Sequence, residues 1–100
     1  MALALARVQQ RMGKLQNWAL EGGGSITKEF VQASFSEAAR FVNAVAEIAE
    51  QHQHHPSIFM NETLVRLSLT THTEQGLTEK DFNLAEAIDA LEKESGGKGA

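Results

Sequence analysis

Val65-Arg66-Leu67-Ser68-Leu69-Thr70 alternates apolar and polar side chains without a break. Successive residues of a strand point to opposite faces, so the stretch predicts a β-strand. Val65, Leu67 and Leu69 would face a core, with Arg66, Ser68 and Thr70 on the other side. His72 keeps the parity of Arg66 and faces away from the core if the strand persists that far. Just upstream, Ile58 to Met60 is a second, shorter strand candidate, with Asn61-Glu62 as a weak turn between the two. Earlier in the chain, Trp18 to Leu20 and Ile26 to Val31 predict another strand pair. Gly22-Gly23-Gly24-Ser25 lies between them and suits a hairpin loop. No Lys-Ser/Thr pair follows these glycines and no helix opens there, so a phosphate-cradling loop is not expected.

Helical periods fill the rest of the sequence. Leu5, Val8, Met12 and Leu15 recur at helical spacing and predict a helix over 3–16, weakened at Gly13 by about 1 kcal/mol relative to alanine. Ser34-Phe35-Ser36-Glu37 has the form of a capping box. The helix it opens runs to about Gln53, with Phe35, Ala38, Val42, Val45 and Ala49 as its buried stripe, widened by Phe41, Ala46 and Ile48. Pro56 is expected to stop it, because proline disfavours helical geometry in the residue before it. Thr78 is a good N-cap with Asp81 at the third helical position, and a last helix over about 79–94 would bury Phe82, Ala85, Ile88 and Leu91. The order is α-β-β-α-β-β-α. Hairpin signals favour a four-stranded antiparallel sheet with three helices on one face, an α+β fold. One domain over 1–94 is expected, followed by a flexible tail at 95–100.

Composition narrows the function. The chain has 100 residues, 42% of them apolar, which suits one compact domain. It has no cysteine, so disulfides, thiolate metal sites and cysteine nucleophiles are excluded. The net charge of −4, with no basic stripe, argues against direct nucleic-acid binding. The apolar start Met1–Ala6 is too short for a secretory core or a membrane span, so a soluble, cytoplasmic protein is expected. An open sheet has exposed edges, and a small domain gains by sharing a core, so a homodimer or homotetramer is expected.

Three of the four histidines lie in Glu50-Gln51-His52-Gln53-His54-His55-Pro56, and the fourth is His72. Imidazole can give or take protons near neutral pH, its unperturbed pKa being about 6.5. Glu50 and His54 are four residues apart and share a face if helix continues, where the carboxylate can orient the ring. Two other readings fit the same residues. Histidines at a helix end interact favourably with the helix dipole and need do nothing more. A histidine-rich tract can bind zinc, although adjacent His54 and His55 usually diverge and no HExxH or cysteine pair is present.

Three linked blocks carry a wider resemblance. They are Glu50-Gln-His-Gln-His54-His55-Pro56, Val65-Arg-Leu-Ser-Leu-Thr-Thr-His72, and Gly76-Leu-Thr-Glu-Lys-Asp81. Together they resemble the signature of the pterin-4a-carbinolamine dehydratases: an acidic residue, three residues, His-His-Pro, a strand ending in Thr-His, then Gly-Leu, a Ser/Thr and an Asp. Leu15-Gln-Asn-Trp18, Ile26-Thr-Lys-Glu-Phe30 and Phe41-Val42 are also similar to the family, so the likeness runs from about Leu15 to Leu91.

The resemblance implies the fold read above, dimers or tetramers, and dehydration of a 4a-hydroxytetrahydropterin to quinonoid dihydropterin without metal or cofactor. It implies that His54, His55 and His72 are catalytic, with Glu50, Thr70, Thr71 and Asp81 as substrate-binding or supporting residues. His54 and His72 would transfer protons, and His55 would chiefly hold the pterin. Asp81 can also be explained as an acidic helix start, Trp18 as core packing, and Thr70 and Thr71 as ordinary strand residues. The family usually carries an aromatic ring six residues after the proline, where it could pack near the site; this chain has Glu62 there. The family resemblance also implies an alternative of another class. Relatives act as a dimerisation cofactor of a transcription factor or as assembly factors for the carbon-fixing enzyme.

Overall fold

A computed structural model describes residues 1–92, and its last helix is bounded at Gly99. The flexible tail expected at 95–100 lies outside the described residues. The elements are α1 (Leu5–Met12), β1 (Ala19–Glu21), β2 (Ser25–Val31), α2 (Phe35–His52), β3 (Ser57–Asn61), β4 (Leu64–Leu69), a 3₁₀ turn (His72–Glu74) and α3 (Glu79–Gly99). The strands form one antiparallel sheet in the order β1-β2-β4-β3, so the fold is α+β with the expected chain order.

Register explains why one face of the sheet is dry. Ile26 pairs with Leu69, Lys28 with Leu67 and Phe30 with Val65, while β3 sets Ile58 opposite Leu67 and Met60 opposite Val65. Directly paired residues share a face. Ile26, Phe30, Val65, Leu67 and Leu69 are buried there against Ala38, Phe41, Val45 and Ala49 of α2 and Phe82, Leu84, Ala85 and Ile88 of α3. Phe30 is central: Trp18 meets it edge-on at 6.2 Å between centroids, and Phe41 lies at 4.8 Å. On the opposite face Glu29 and Arg66 are paired across strands at 3.2 Å. The alternation of β4 is therefore realised as read, but the strand stops at Leu69. The chain then turns, so His72 opens a 3₁₀ turn rather than ending a strand.

The β1–β2 connection is the expected glycine hairpin. Gly22 and Gly23 take φ of +58° and +75°, a region glycine enters without steric cost. At the β3–β4 tip the same region is occupied by Glu62, with φ +55°.

Several expectations need correction. Helix α1 is shorter than 3–16: it ends at Met12 with Gly13 as its cap, and Leu5 is exposed. Its inward face is Val8 with Arg11, a cation that sequence periodicity placed outside. In α2, Phe35 is 65% exposed and Ala46 is also exposed; the helix begins one turn before its buried stripe, which runs from Ala38. The capping box at its start is half formed. Ser34 Oγ accepts from Glu37 N–H, while the Glu37 carboxylate accepts from Arg40 instead of reaching back. Nor does Pro56 end the helix. Gln53 adopts a left-handed conformation (φ 52°, ψ 41°), its N–H bonds Glu50 O, and His54 N–H bonds Ala49 O. This is a Schellman closure, in which the C-terminal carbonyls are satisfied before the proline is reached.

Candidate active site

The left-handed turn at Gln53 decides where the histidines go. Had helix continued, Glu50 would have sat beneath His54. Instead the chain reverses its direction, Glu50 Oε2 lies 2.6 Å from His55 Nε2 on the exposed surface, and His54 is delivered inward to Asp81. The expected Glu50–His54 partnership is thus replaced by Glu50–His55 and Asp81–His54.

Asp81 is the centre of the arrangement. It is 0% exposed, and both of its oxygens are occupied. Oδ1 lies 2.6 Å from His54 Nε2; Oδ2 accepts from the Thr71 hydroxyl at 2.7 Å and from the Thr78 N–H at 2.9 Å. The last of these is the carboxylate half of a capping box at the start of α3. A residue that would explain itself as an acidic helix start therefore also anchors an imidazole. A buried carboxylate is tolerated only when hydrogen-bonded and paired, which this one is.

The network assigns the tautomer of neutral His54. Asp81 as a carboxylate can only accept, so the ring proton sits on Nε2. Nδ1 then carries the lone pair. It has no hydrogen-bond partner among the described residues, and no buried side-chain nitrogen or oxygen lacks one, so Nδ1 reaches solvent although the side chain is only 11% exposed. The result is an imidazole held from behind by a buried carboxylate, with its second nitrogen at the surface.

His72 is exposed, its ring without a hydrogen-bonded partner among the described residues, and follows Thr71 directly in the chain. Because Asp81 bonds both His54 and Thr71, one carboxylate ties the segments that carry His54 and His72. The His72 loop is closed by paired bonds between Thr71 and Gly76, and the N-terminal segment braces it. Leu3 N–H bonds Leu77 O at 2.8 Å, the Met1 ammonium pairs with Glu74, and a β-carbon on Gly76 would meet Ala2 at 3.0 Å.

Thr71 is buried and its hydroxyl is spent on Asp81 and Thr78, at 2.7 and 2.8 Å. The half-buried Thr70 donates to Gly24 O at 2.5 Å, tying the end of β4 to the glycine hairpin. Glu62 stands apart at the far end of β3, roughly 16 Å along an extended strand from Ser57, the first residue of β3 after the His-His-Pro segment. An aromatic ring at position 62 would not pack against His54 within this chain.

Two clusters were not anticipated from sequence. Arg11, buried beneath α1, pairs with Glu79 and with Glu86 at 3.0 Å, donates to Asn83 at 3.1 Å, and lies over the Phe82 ring at 5.4 Å. Arg7 joins it on Glu79 at 2.7 Å; this hydrogen bond, opposed by partial desolvation, holds the Glu79 carboxyl below its ordinary range and raises the Arg7 guanidinium. Spacing could have signalled the clasp: Arg7 and Arg11 are one turn apart on α1, facing Glu79, Asn83 and Glu86 on one face of α3. On the core face of β2, Lys28 Nζ lies 2.9 Å from Asp89 and 3.0 Å from Glu92, and Trp18 Nε1 donates to the same Asp89 oxygen at 2.9 Å. This cluster borders a cleft of about 250 Å³ that no histidine lines.

Among the described residues, no three His, Cys, Asp or Glu side chains group as a candidate metal site, and no helix is long and apolar enough to cross a membrane.

Fold and site together define a small α+β domain with a carboxylate-anchored histidine site. The chain belongs to the pterin 4 alpha carbinolamine dehydratase family, whose model matches residues 1–91. A Chloroflexus aggregans protein, provisionally named pterin-4-alpha-carbinolamine dehydratase, is 43% identical over 89% of this chain and 95% of its own length. One from Metallosphaera sedula, named likewise, is 38% identical over 91% of this chain and 94% of its own. Among solved structures, a transcriptional coactivator/pterin dehydratase from Brucella melitensis superposes with a TM-score of 0.85 at 32% identity, covering 91% of this chain and 98% of that one. A pterin dehydratase-like RuBisCO assembly factor of the alpha-carboxysome matches with a TM-score of 0.65 at 27% identity, over 76% of this chain and 89% of the other.

Proposed function

We propose that this protein dehydrates a 4a-hydroxytetrahydropterin to quinonoid dihydropterin and water by histidine acid–base catalysis. The observation that carries the reading is His54, anchored through Nε2 on buried Asp81 with Nδ1 free at the surface. The reaction removes a hydroxyl from C4a and a proton from N5. The hydroxyl leaves as water once protonated, and the N5 proton passes to a base, so a donor and an acceptor are both needed. His54, through Nδ1, and His72 supply these two functions on our reading; solvent resets their protonation after each turnover. His55 contributes to holding the pterin, with Glu50 orienting its ring at 2.6 Å. Asp81 supports from behind His54, and Thr70 and Thr71 shape the site through the backbone they fix.

The protein acts as a homodimer or homotetramer on this reading, because strands β1 and β3 both leave a hydrogen-bonding edge unpaired within the chain. A second reading, a protein-binding module on the same fold, draws on the assembly-factor name of one structural neighbour. The test is direct: chelator-treated protein is mixed with freshly generated carbinolamine and loss of the hydroxyl is followed spectroscopically. Acceleration over the uncatalysed rate is the expected result. No acceleration, or activity restored only by added zinc, would contradict the proposal.

A further inference from the structure

Hydroxyl hydrogens are scarce enough to be counted. Thr71 has one, and it is given to Asp81 Oδ2 at 2.7 Å, because a carboxylate cannot donate. The 2.8 Å contact between the Thr71 and Thr78 hydroxyls must therefore run from Thr78 to Thr71. Thr78 Oγ1 in turn accepts the Lys80 N–H at 3.3 Å. Every donor in the chain Lys80 N–H, Thr78 O–H, Thr71 O–H points toward Asp81, and the Thr78 N–H does the same at 2.9 Å. Chains of aligned hydrogen bonds polarise one another in a buried, weakly screened setting. This one fixes which Asp81 oxygen faces which partner, leaving Oδ1 for His54 alone.

We propose that Thr71 is a positioning residue: its hydroxyl, oriented by Thr78, holds Asp81 so that His54 keeps its proton on Nε2 and presents Nδ1 as the working nitrogen. It acts through Asp81 and touches no substrate, since it is buried and its hydroxyl is fully used. This deepens the dehydratase reading and, for its kinetic part, rests on it. The tautomer part stands without it.

The test uses full-length Thr71→Val, Thr71→Ser and Thr78→Val, with folding checked by circular dichroism. Imidazole ¹⁵N NMR of His54 is recorded beside kcat and KM for dehydration. Wild type should show the Nε2–H tautomer. Without the Thr71 hydroxyl on Oδ2 the Asp81 carboxylate can swing off His54 Nε2, so Thr71→Val should let Nδ1–H become populated beside Nε2–H and lower kcat on the order of ten-fold, the scale of one hydrogen bond to a charged group, with KM unchanged. Thr71→Ser should restore both readouts. Thr78→Val, which keeps the Thr78 N–H but removes the hydroxyl behind Thr71, should fall between, and it carries the test if Thr71→Val does not fold. An unshifted tautomer in folded Thr71→Val, or in Thr78→Val when that variant carries the test, would overturn the proposal. If wild type proves inactive, the dehydratase reading fails alone, and the tautomer measurement still decides the role of Thr71.

Discussion

Replacing Asp81 with asparagine separates what this carboxylate does for the fold from what it does for His54. With its amide oxygen in the place of Oδ2, asparagine still accepts from the Thr71 hydroxyl and the Thr78 N–H, so the cap on α3 survives. The amide nitrogen then takes the place of Oδ1 and points hydrogens at His54 Nε2, which must become an acceptor. The ring proton moves to Nδ1, the nitrogen assigned to the chemistry. Three charge-assisted bonds become neutral ones, each losing about 0.5–1 kcal/mol, so the stability loss is about 1.5–3 kcal/mol. That leaves a folded protein within the roughly 5–15 kcal/mol typical of a domain. Asp81→Ala instead strands buried donors without an acceptor and should cost about 3–5 kcal/mol. Removing a positioned acid–base group costs on the order of 10²- to 10⁴-fold, and kcat of Asp81→Asn should fall within that range. Urea unfolding gives the stability difference, and kcat with ¹⁵N NMR gives the rest. A folded Asp81→Asn with wild-type kcat would refute the assignment of Nδ1.

Other outcomes follow from the surroundings of the site. Glu79, held below its ordinary carboxyl range chiefly by the Arg7 hydrogen bond, contributes stability that is complete above the unfolded carboxyl value of about 4.3 and is lost as pH falls through the lower folded value. The melting temperature of Glu79→Gln should therefore lie below wild type at pH 7, with the gap closing toward pH 3; a gap that persists in acid would show that the clasp is not electrostatic. Glu62→Gly should stabilise the protein by about 0.5–1 kcal/mol in urea, because it relieves a left-handed backbone at φ +55°. Glu62→Tyr should leave KM for the pterin unchanged if the site is built within one chain, and a lowered KM would place position 62 near a site shared between subunits.

The sequence was most legible where one local rule was enough. Alternation at Val65–Leu69 and the hairpin glycines Gly22 and Gly23 needed only the period of a strand and the tolerance of glycine for positive φ, and both read correctly. The end of α2 was placed correctly at about Gln53, but its closure was not legible, because Gln53 ends the helix in a left-handed conformation usually filled by glycine or asparagine. That one residue reassigned Glu50 from His54 to His55. Arg11 was misplaced for a related reason, since helical periodicity puts it between the apolar positions of α1. Arg11 and Lys28 are each buried against acidic residues more than 60 positions away that only the tertiary fold brings near. Asp81 was read as both a helix-start residue and a candidate site residue; its carboxylate caps α3 and also bonds His54.

The most direct test of the account is kcat for dehydration of freshly generated carbinolamine by wild type, His54→Ala, His72→Ala and the double variant, each confirmed folded. Each single variant should lose on the order of 10²- to 10⁴-fold in kcat, and the double variant should approach the uncatalysed rate. A folded double variant that keeps wild-type kcat would contradict the acid–base account and leave the protein-binding reading as the better one.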